Sequence, residues 1–141
     1  MIDAAPGVTF GFHLCRGNQD SRWLVSGGYE AIAAPVFGAI RAERLLLEYD
    51  DERSGGFGPL ALVPDDKQVV LGLVSTKKPA LETPQELSAR IDEAARVVDR
   101  DRLGLSTQCG FASIAAGNPI TEADEESKLR LVADTAHAAW G

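Results

Sequence analysis

The sequence predicts an α/β fold of βα units around a parallel sheet, and two patterns along the chain support this prediction. Four short apolar runs are separated by segments with helical periodicity, an alternation that is typical of βαβ units. Each run is nearly continuous rather than alternating, as expected for strands that are covered on both faces. The runs comprise residues 8–15, 44–49, 68–75 and 102–109.

The helix that follows the third run has the clearest start. Thr83 can cap the helix, Pro84 suits its first position, and Glu86 completes a capping box. We therefore predict a helix between the third and fourth strands. Its apolar residues recur at helical spacing on one face, at Leu87, Ile91, Ala94, Ala95 and Val98.

A second helix is predicted to begin near Thr121 and to run toward Trp140. Acidic residues in its first turns suit the positive end of the helix dipole. These are Glu122, Asp124, Glu125 and Glu126, and the helix then runs through Leu129, Val132, Ala133 and Ala136. His137 lies near the carboxyl end, where the dipole favours an imidazole, and we interpret it as structural.

Two further segments are less regular. Residues 29–41 are predicted to be helical, although Pro35 must start, kink or end a helical piece there. Residues 50–66 are rich in glycine and are predicted to form a loop with a short helical piece in its middle.

Composition limits the classes of function. The chain has 141 residues, 45% of them hydrophobic, which suffices for one domain with its own core. The formal net charge of −7 argues against nucleic acid or an anionic membrane as a partner, because both favour a basic surface. No apolar run approaches the ~20 residues of a membrane span, and the first residues, MIDAAPGV, lack the features of an export signal. We expect a cytoplasmic protein that acts on small molecules.

The two cysteines carry most of the chemical interest. In a reducing compartment Cys15 and Cys109 are more often free thiols, metal ligands or catalytic groups than a disulfide. Cys15 stands two residues after His13 at the end of the first predicted strand, so both side chains share one face. Imidazole and thiolate are good zinc ligands, but zinc takes about four partners, so two more must be found.

The missing ligands are expected at the carboxyl ends of the other strands, where parallel βα folds collect their functional groups. The second strand ends in Glu48 and the fourth in Cys109. With His13 and Cys15 they give a nitrogen, an oxygen and two sulfurs, a set that suits zinc. The oxygen donor is the one that an incoming thiol would displace most easily.

Structural explanations of the same residues remain open at this stage. His13 could be a hydrogen-bonded core histidine, and both cysteines could be small buried hydrophobic residues. Glu48 could belong to a solvated acidic cluster with Asp50, Asp51 and Glu52.

Four blocks of the chain resemble successive parts of a known family. FHLCRGN, LLLEYDDERSGGF, VVLGLVSTKKPALETPQEL and LSTQCGFAS are similar to the carboxyl-terminal catalytic domain of cobalamin-independent methionine synthase and its shorter relatives. The resemblance implies a (β/α)8 TIM-barrel type of fold, with only about the last four βα units in this chain. Residues 1–141 would then be the carboxyl-terminal portion of such a barrel domain.

The resemblance also implies a metal site and a reaction. The family holds Zn²⁺ through a His-x-Cys, a later glutamate and a cysteine before glycine, and these positions match His13, Cys15, Glu48 and Cys109, with Gly110. It implies methyl transfer from 5-methyltetrahydropteroylglutamate to the zinc-activated thiol of homocysteine, which gives methionine. The family's contacts to the amino acid and the folate come largely from the preceding half of the barrel.

One position departs from the family. The synthases carry an assisting histidine in an Asp-x-His-Ser-Pro context, whereas this chain has STKKP there, with Lys77 at the matching place. Glu48 and Lys77 are therefore the catalytic candidates. Proton handling must differ or be supplied elsewhere.

Other functions compete with this one. Zinc could activate another thiol, such as coenzyme M, toward an epoxide or a methyl donor. Lys77 and Lys78 would suit an anionic thiol, although solvated loop lysines are their simpler interpretation. The chain could also be a truncated, non-catalytic zinc-binding fragment. A half barrel would leave its outer strands unpaired, which predicts a homodimer or association with a missing amino-terminal half.

Overall fold

A computed structural model gives the fold of residues 5–19, 22–112 and 114–141. Residues 1–4 of the amino-terminal MIDAAPGV segment and Ser113 of the LSTQCGFAS block lie outside these ranges. The elements in chain order are β1 (Gly11–Leu14), β2 (Asn18–Gln19), β3 (Arg22–Trp23), α1 (Ala33–Val36), β4 (Arg44–Glu48), β5 (Gln68–Val74), α2 (Pro84–Ala94), β6 (Leu103–Thr107) and α3 (Glu122–Trp140).

The main sheet has four parallel strands in the order β1-β4-β5-β6, while β2 and β3 form a separate antiparallel pair. The prediction of four parallel strands is confirmed, and each strand is shorter than its apolar run. The residues that follow the strands, such as Cys15 and Tyr49, therefore leave the ladder at the same edge of the sheet. Neighbouring strands follow one another along the chain, as in a (β/α) barrel.

The prediction that every strand is covered on both faces is wrong for β1. Its residues Gly11, Phe12 and His13 are exposed, with Phe12 44% accessible. β1 pairs with β4 along one edge only, so its apolar residues lack the second neighbour that an inner strand has. The inner strands β4 and β5 behave as predicted, with Leu45 and Leu71 fully buried.

The core consists of buried residues of β4 and β5 together with residues of the helices that pack against the sheet. Four aromatic rings form a continuous row there: Tyr29 packs on Phe37 and Tyr49, and Tyr49 packs on Phe57 at 4.6 Å between ring centroids. The row fixes the segments before and after β4. The loop that follows β4 is thereby held against the body of the domain.

The helix after β5 begins as predicted. Thr83 caps α2 in a full capping box with Glu86. Leu87 and Ile91 are buried, as predicted for the inner face of the helix. The helix ends at Ala94, so Val98 is also buried but lies in the turn that follows α2.

The inward face of α3 differs from the apolar positions read in the sequence. Thr121 and Asp124 form the predicted start, again as a capping box. The buried residues, however, are Lys128, Leu131 and Thr135, whereas Leu129 is 48% exposed. Because a buried lysine occupies this face, hydrophobicity alone could not locate it.

The irregular segments contain less helix than predicted at residues 29–41 and more at residues 50–66. The first holds only the single turn α1, with Pro35 inside it. The second holds two 3-10 turns, Glu52–Ser54 and Gly58–Leu62. Among the described residues, no helix combines the length and apolarity needed to cross a bilayer.

Candidate metal centre

The four predicted ligands meet at the carboxyl edge of the sheet. One donor atom from each of His13, Cys15, Glu48 and Cys109 lies within 4.8 Å of every other. In the parallel register His13 stands opposite Leu46, two residues before Glu48, so His13 and Glu48 occupy the same side of the sheet. Strand ends that are far apart in sequence are thus brought to one point.

The burial of these residues bears on their alternative structural interpretations. His13 is not a core histidine, because its side chain is 34% exposed, and Cys15 is exposed rather than a buried hydrophobic residue. Cys109 is half-buried. The Glu48 side chain is fully buried and does not belong to a solvated acidic cluster. Both thiols are free.

The donor set fits a metal ion. Oε1 of Glu48 is buried, lies 3.5 Å from His13 Nε2 and forms no hydrogen bond of ordinary length and angle with a described residue. A buried carboxylate oxygen without a donor is costly unless another group satisfies it. A cation held by one nitrogen, two sulfurs and this oxygen would do so, with four donors in number and type suited to zinc.

The electrostatics of the centre follow from burial and from the neighbouring groups. Burial raises the pKa of the Cys109 thiol, and the charge of the adjacent Cys15 adds to this effect. Burial would also raise the pKa of Glu48, but the side chains of His13, Gln108 and Arg53 together lower it below its ordinary value. The glutamate is therefore ionised, whereas the thiol needs a nearby cation to ionise readily.

Glu48 is held by groups that the sequence reasoning missed. Arg53 Nη2 donates to Oε2 at 3.0 Å, and the Arg16 backbone N–H donates to the same oxygen at 3.3 Å. The Tyr29 hydroxyl accepts from the Glu48 N–H at 2.8 Å and contacts the Glu48 carbonyl oxygen at 3.3 Å. Burial raises the pKa of Tyr29 to about 12, so this hydroxyl stays protonated. A buried carboxylate requires a cationic partner. The sequence offers Arg53, five residues after Glu48, as a candidate for that partner.

A glycine shapes the segment after Cys15. Gly17 has φ +82, a conformation that other residues rarely adopt, and the Leu24 side chain fills the space that a Cβ would need. Its N–H donates to Cys15 Sγ at 3.4 Å and its carbonyl oxygen accepts from Arg53 Nη1 at 3.2 Å. Gly17 therefore connects a candidate ligand to the arginine that holds Glu48.

Lys77 lies in a buried ion-pair cluster. Its Nζ is 2.8 Å from Asp50 Oδ2 and also contacts Asp51 Oδ2. Lys77 is 7% exposed, so the interpretation as a solvated loop lysine is wrong for it, while Lys78 is exposed as that interpretation expects. Burial raises the pKa of Asp50, and Lys77 offsets only part of this effect.

Side chains at the ends of β5 and β6 hold the fourth ligand's segment in place. The Thr76 hydroxyl donates to Gln108 Oε1 at 3.0 Å, and Asn118 Nδ2 donates to the Thr76 carbonyl oxygen at 2.9 Å. Both bonds are buried. Thr76 thus holds Gln108, the residue immediately before Cys109, and Asn118 holds Thr76.

Comparison with known proteins identifies the family of this chain. The family described as the catalytic domain of cobalamin-independent synthase matches residues 39–136. The chain belongs to this family. The matched range contains Glu48, Lys77 and Cys109, and it starts after the strand of His13 and Cys15.

Relatives extend the similarity to the whole chain. Two proteins of Bacillus subtilis (strain 168), the uncharacterized proteins YxjH and YxjG, are each 48% identical over 141 residues, which is 99% of this chain and 37% of theirs. The putative vitamin-B12 independent methionine synthase of Listeria monocytogenes is 30% identical, with a TM-score of 0.74 over 99% of this chain and 38% of that one. The chain thus spans less than two-fifths of the length of these relatives.

A more distant structure supports the fold alone. The B12-independent methionine synthase of Shewanella sp. W3-18-1, solved in complex with selenomethionine, is 21% identical, with a TM-score of 0.73 over 94% of this chain and 39% of that one. The predicted TIM-barrel type of fold, with about half of the βα units, is confirmed by these matches and by the parallel sheet.

Proposed function

We propose that residues 1–141 form the carboxyl-terminal, zinc-holding portion of a methyltransferase of the cobalamin-independent methionine synthase type. His13, Cys15, Glu48 and Cys109 would hold Zn²⁺. The thiol substrate would be homocysteine and the donor 5-methyltetrahydropteroylglutamate, with methionine as the product. The observation that carries the proposal is the approach of four donor groups of the correct chemistry to within 4.8 Å of one another.

The chain's own residues prepare this centre for a thiol. When bound, zinc would lower the pKa of the substrate thiol and so provide a nucleophilic sulfur at neutral pH. His13 and Cys15 lie on the exposed side of the cluster, while Glu48 lies buried behind it, so a thiol can approach from solvent. Glu48 supplies the oxygen, the donor that exchanges most readily against sulfur. We assign Glu48 a catalytic role as the oxygen donor that would hold the metal and that a thiol would replace most easily.

Lys77 is the second catalytic candidate, because it occupies the position of the family's assisting histidine. Its ammonium faces Asp50 and Asp51, so it is held rigidly at the carboxyl end of the sheet. We propose that it supplies the fixed positive charge of this part of the site. An anionic thiol such as coenzyme M has less support, because the ammonium already faces two carboxylates.

The proposed partners and compartment follow from the same features. Within the described sheet, β1 and β6 each have a single neighbouring strand, so each offers an edge to further strands. We propose that a second copy of the chain or an amino-terminal half barrel pairs there. Two free thiols in one cluster suit a reducing compartment, and we propose the cytoplasm.

Metal analysis tests the proposal first. Purified protein should contain about one zinc per chain, and Cys15→Ala, Cys109→Ala and His13→Ala should each lower the zinc content sharply, because each removes a strong donor. The matched control is His137→Ala, since His137 lies on α3 away from the cluster. Full zinc retention in both cysteine variants would refute the site.

Activity is the second test. Methyl transfer to homocysteine should be measured in the 141-residue chain and in a longer protein that supplies all eight βα units, with coenzyme M run in parallel. We expect turnover with homocysteine in the longer protein. Preference for coenzyme M there would instead support the alternative thiol.

A further inference from the structure

Buried carboxylates and cations alternate in a row that begins at Glu48. Arg53 Nη2 lies 3.0 Å from Glu48 Oε2, and Arg53 Nε lies 3.4 Å from Asp51 Oδ1. The other oxygen of Asp51 contacts Lys77, which also binds Asp50. We call these five residues the charge row. It connects the two catalytic candidates, Glu48 and Lys77, through Arg53 and Asp51.

The two oxygens of Glu48 have different surroundings. Oε2 accepts from the Arg53 guanidinium and from the Arg16 N–H. Oε1 faces His13, at 3.5 Å from Nε2, and forms no hydrogen bond of ordinary length and angle with a described residue. A rotation of the carboxylate plane away from this position would break the bonds to Arg53 and to the Arg16 N–H, so one oxygen is directed to these donors and the other to the ligand cluster. The carboxylate is therefore presented to the ligand cluster in one orientation.

Arg53 is itself held firmly. Its side chain is fully buried, and its Nη1 donates to the Gly17 carbonyl oxygen at 3.2 Å. Three nitrogens of one planar group thus contact Glu48, Asp51 and Gly17 at the same time. A lysine could not reproduce this arrangement, because its single ammonium lacks the rigid fork of the guanidinium.

We propose that Arg53 is the positioning residue of the metal centre: it occupies Oε2 and so reserves Oε1 of Glu48 for the metal. The inference rests on the proposed function, since it concerns how a metal would be held. Among the four candidate ligands, Arg53 contacts only Glu48 directly, and on this proposal its main effect on the metal passes through that carboxylate. Its contribution to metal affinity must therefore depend on a carboxylate being present at residue 48.

A double-mutant cycle tests this dependence. Zinc affinity is measured by competition with a chromophoric chelator for the wild type, Arg53→Met, Glu48→Gln and the double variant. We expect Arg53→Met to weaken zinc binding about 10- to 100-fold, as loss of a group that orients a ligand does. In the Glu48→Gln background the same change should cost less than about threefold, because no carboxylate remains to be oriented.

Two further variants complete the design. Arg53→Lys keeps the charge without the fork and should show an intermediate loss, with an altered absorption spectrum of the Co²⁺-loaded protein. Arg90→Met is the matched control: Arg90 stacks over Phe57 at 4.2 Å, and its substitution should leave zinc affinity unchanged. If Arg53→Met does not fold, the cycle is run with Arg53→Lys.

The outcomes separate the two hypotheses. Equal losses of affinity in both backgrounds, or unchanged affinity in Arg53→Met, would overturn the role of Arg53 and leave the zinc site intact. Absence of zinc from the wild type would overturn the proposed function itself.

Discussion

Lys128 of α3 is fully buried, and its Nζ lies 3.1 Å from Glu82 Oε2. The same nitrogen donates to the Ala80 carbonyl oxygen at 2.6 Å, while the other oxygen of Glu82 accepts from the Ser75 N–H at 2.9 Å. One ion pair thus ties α3 to the segment that follows β5. That segment carries Lys77, so the last helix helps to shape the candidate site.

We predict that Lys128→Met strongly destabilises the fold. It leaves the Glu82 carboxylate without its cation in a largely buried position, and breaking a buried pair costs about 3–5 kcal/mol. We expect a value near the lower end, because Glu82 is 20% exposed. Urea unfolding followed by circular dichroism gives the change in free energy.

Arg130→Ala is the matched control, two residues further along the same helix. Arg130 pairs with Glu126 at the surface, where both side chains are about 70% exposed. Such a pair contributes about 0.3–0.5 kcal/mol. If the two variants lost equal stability, the buried pair would not have the importance assigned to it.

The capping boxes give a second prediction. Thr83→Ala and Thr121→Ala each remove the side chain that accepts from the N3 backbone N–H, and each should cost about 1 kcal/mol. The two losses should add, because the caps lie on different helices. Ser88→Ala, in the exposed middle of α2, is the control and should be neutral or slightly stabilising. A similar loss in Ser88→Ala would argue against a capping effect.

The cap at α2 should also depend on pH. Bonds from the Thr83 backbone N–H and hydroxyl lower the pKa of Glu86 from its ordinary value of 4.5. A lowered pKa in the folded state means that the contribution is complete above pH 4.5 and is lost as the pH falls through the lower folded value. The stability difference between wild type and Glu86→Gln should therefore shrink on acidification. A constant difference from pH 7 to pH 3 would contradict this assignment.

The strands and the ligand cluster could be predicted because they depend on local and repeated rules. Each apolar run ends where polar chemistry begins, and parallel strands end at one edge, so the sequence predicts all four ligands at that edge. β1 and β6 are not neighbours in the sheet, and the approach of Cys109 to His13 and Cys15 is visible only in the structure. The capping boxes are similarly local, since four consecutive residues determine them.

The groups around the ligands could not be predicted in the same way. The contact of Arg53 with Gly17 depends on how two loops pack, and Lys128 lies buried only because Glu82 arrives from a different element. Hydrophobic periodicity assigns lysine to solvent and therefore misplaced the inner face of α3. Exposure of β1 likewise depends on which strands are present beside it.

A fourth prediction contrasts adjacent lysines. Lys77→Met leaves Asp50, whose side chain is fully buried, without its cation, and should cost roughly 3–5 kcal/mol. Lys78→Met is the control, because Lys78 is exposed, and should change stability by less than about 0.5 kcal/mol. Thermal or urea unfolding of both variants provides the comparison. Equal behaviour of the two would mean that the ion-pair cluster around Lys77 contributes nothing.

The last prediction concerns Glu48 as the exchangeable ligand. Glu48→Gln should keep most of the zinc at saturating metal, although with lower affinity, since His13, Cys15 and Cys109 would supply the stronger donors. The measurement is zinc content together with X-ray absorption at the zinc edge, with and without added homocysteine. In the wild type the thiol should replace one oxygen scatterer by sulfur.

The two halves of this experiment distinguish a catalytic from a structural metal. If Glu48 leaves as the thiol binds, Glu48→Gln should change the zinc environment before thiol is added and should reach the same sulfur count afterwards. Methyl transfer should be followed in the longer protein, because this chain spans less than two-fifths of the length of its relatives. Turnover without any change at the zinc edge would refute activation by direct coordination, and the zinc would then serve to hold the strand ends together.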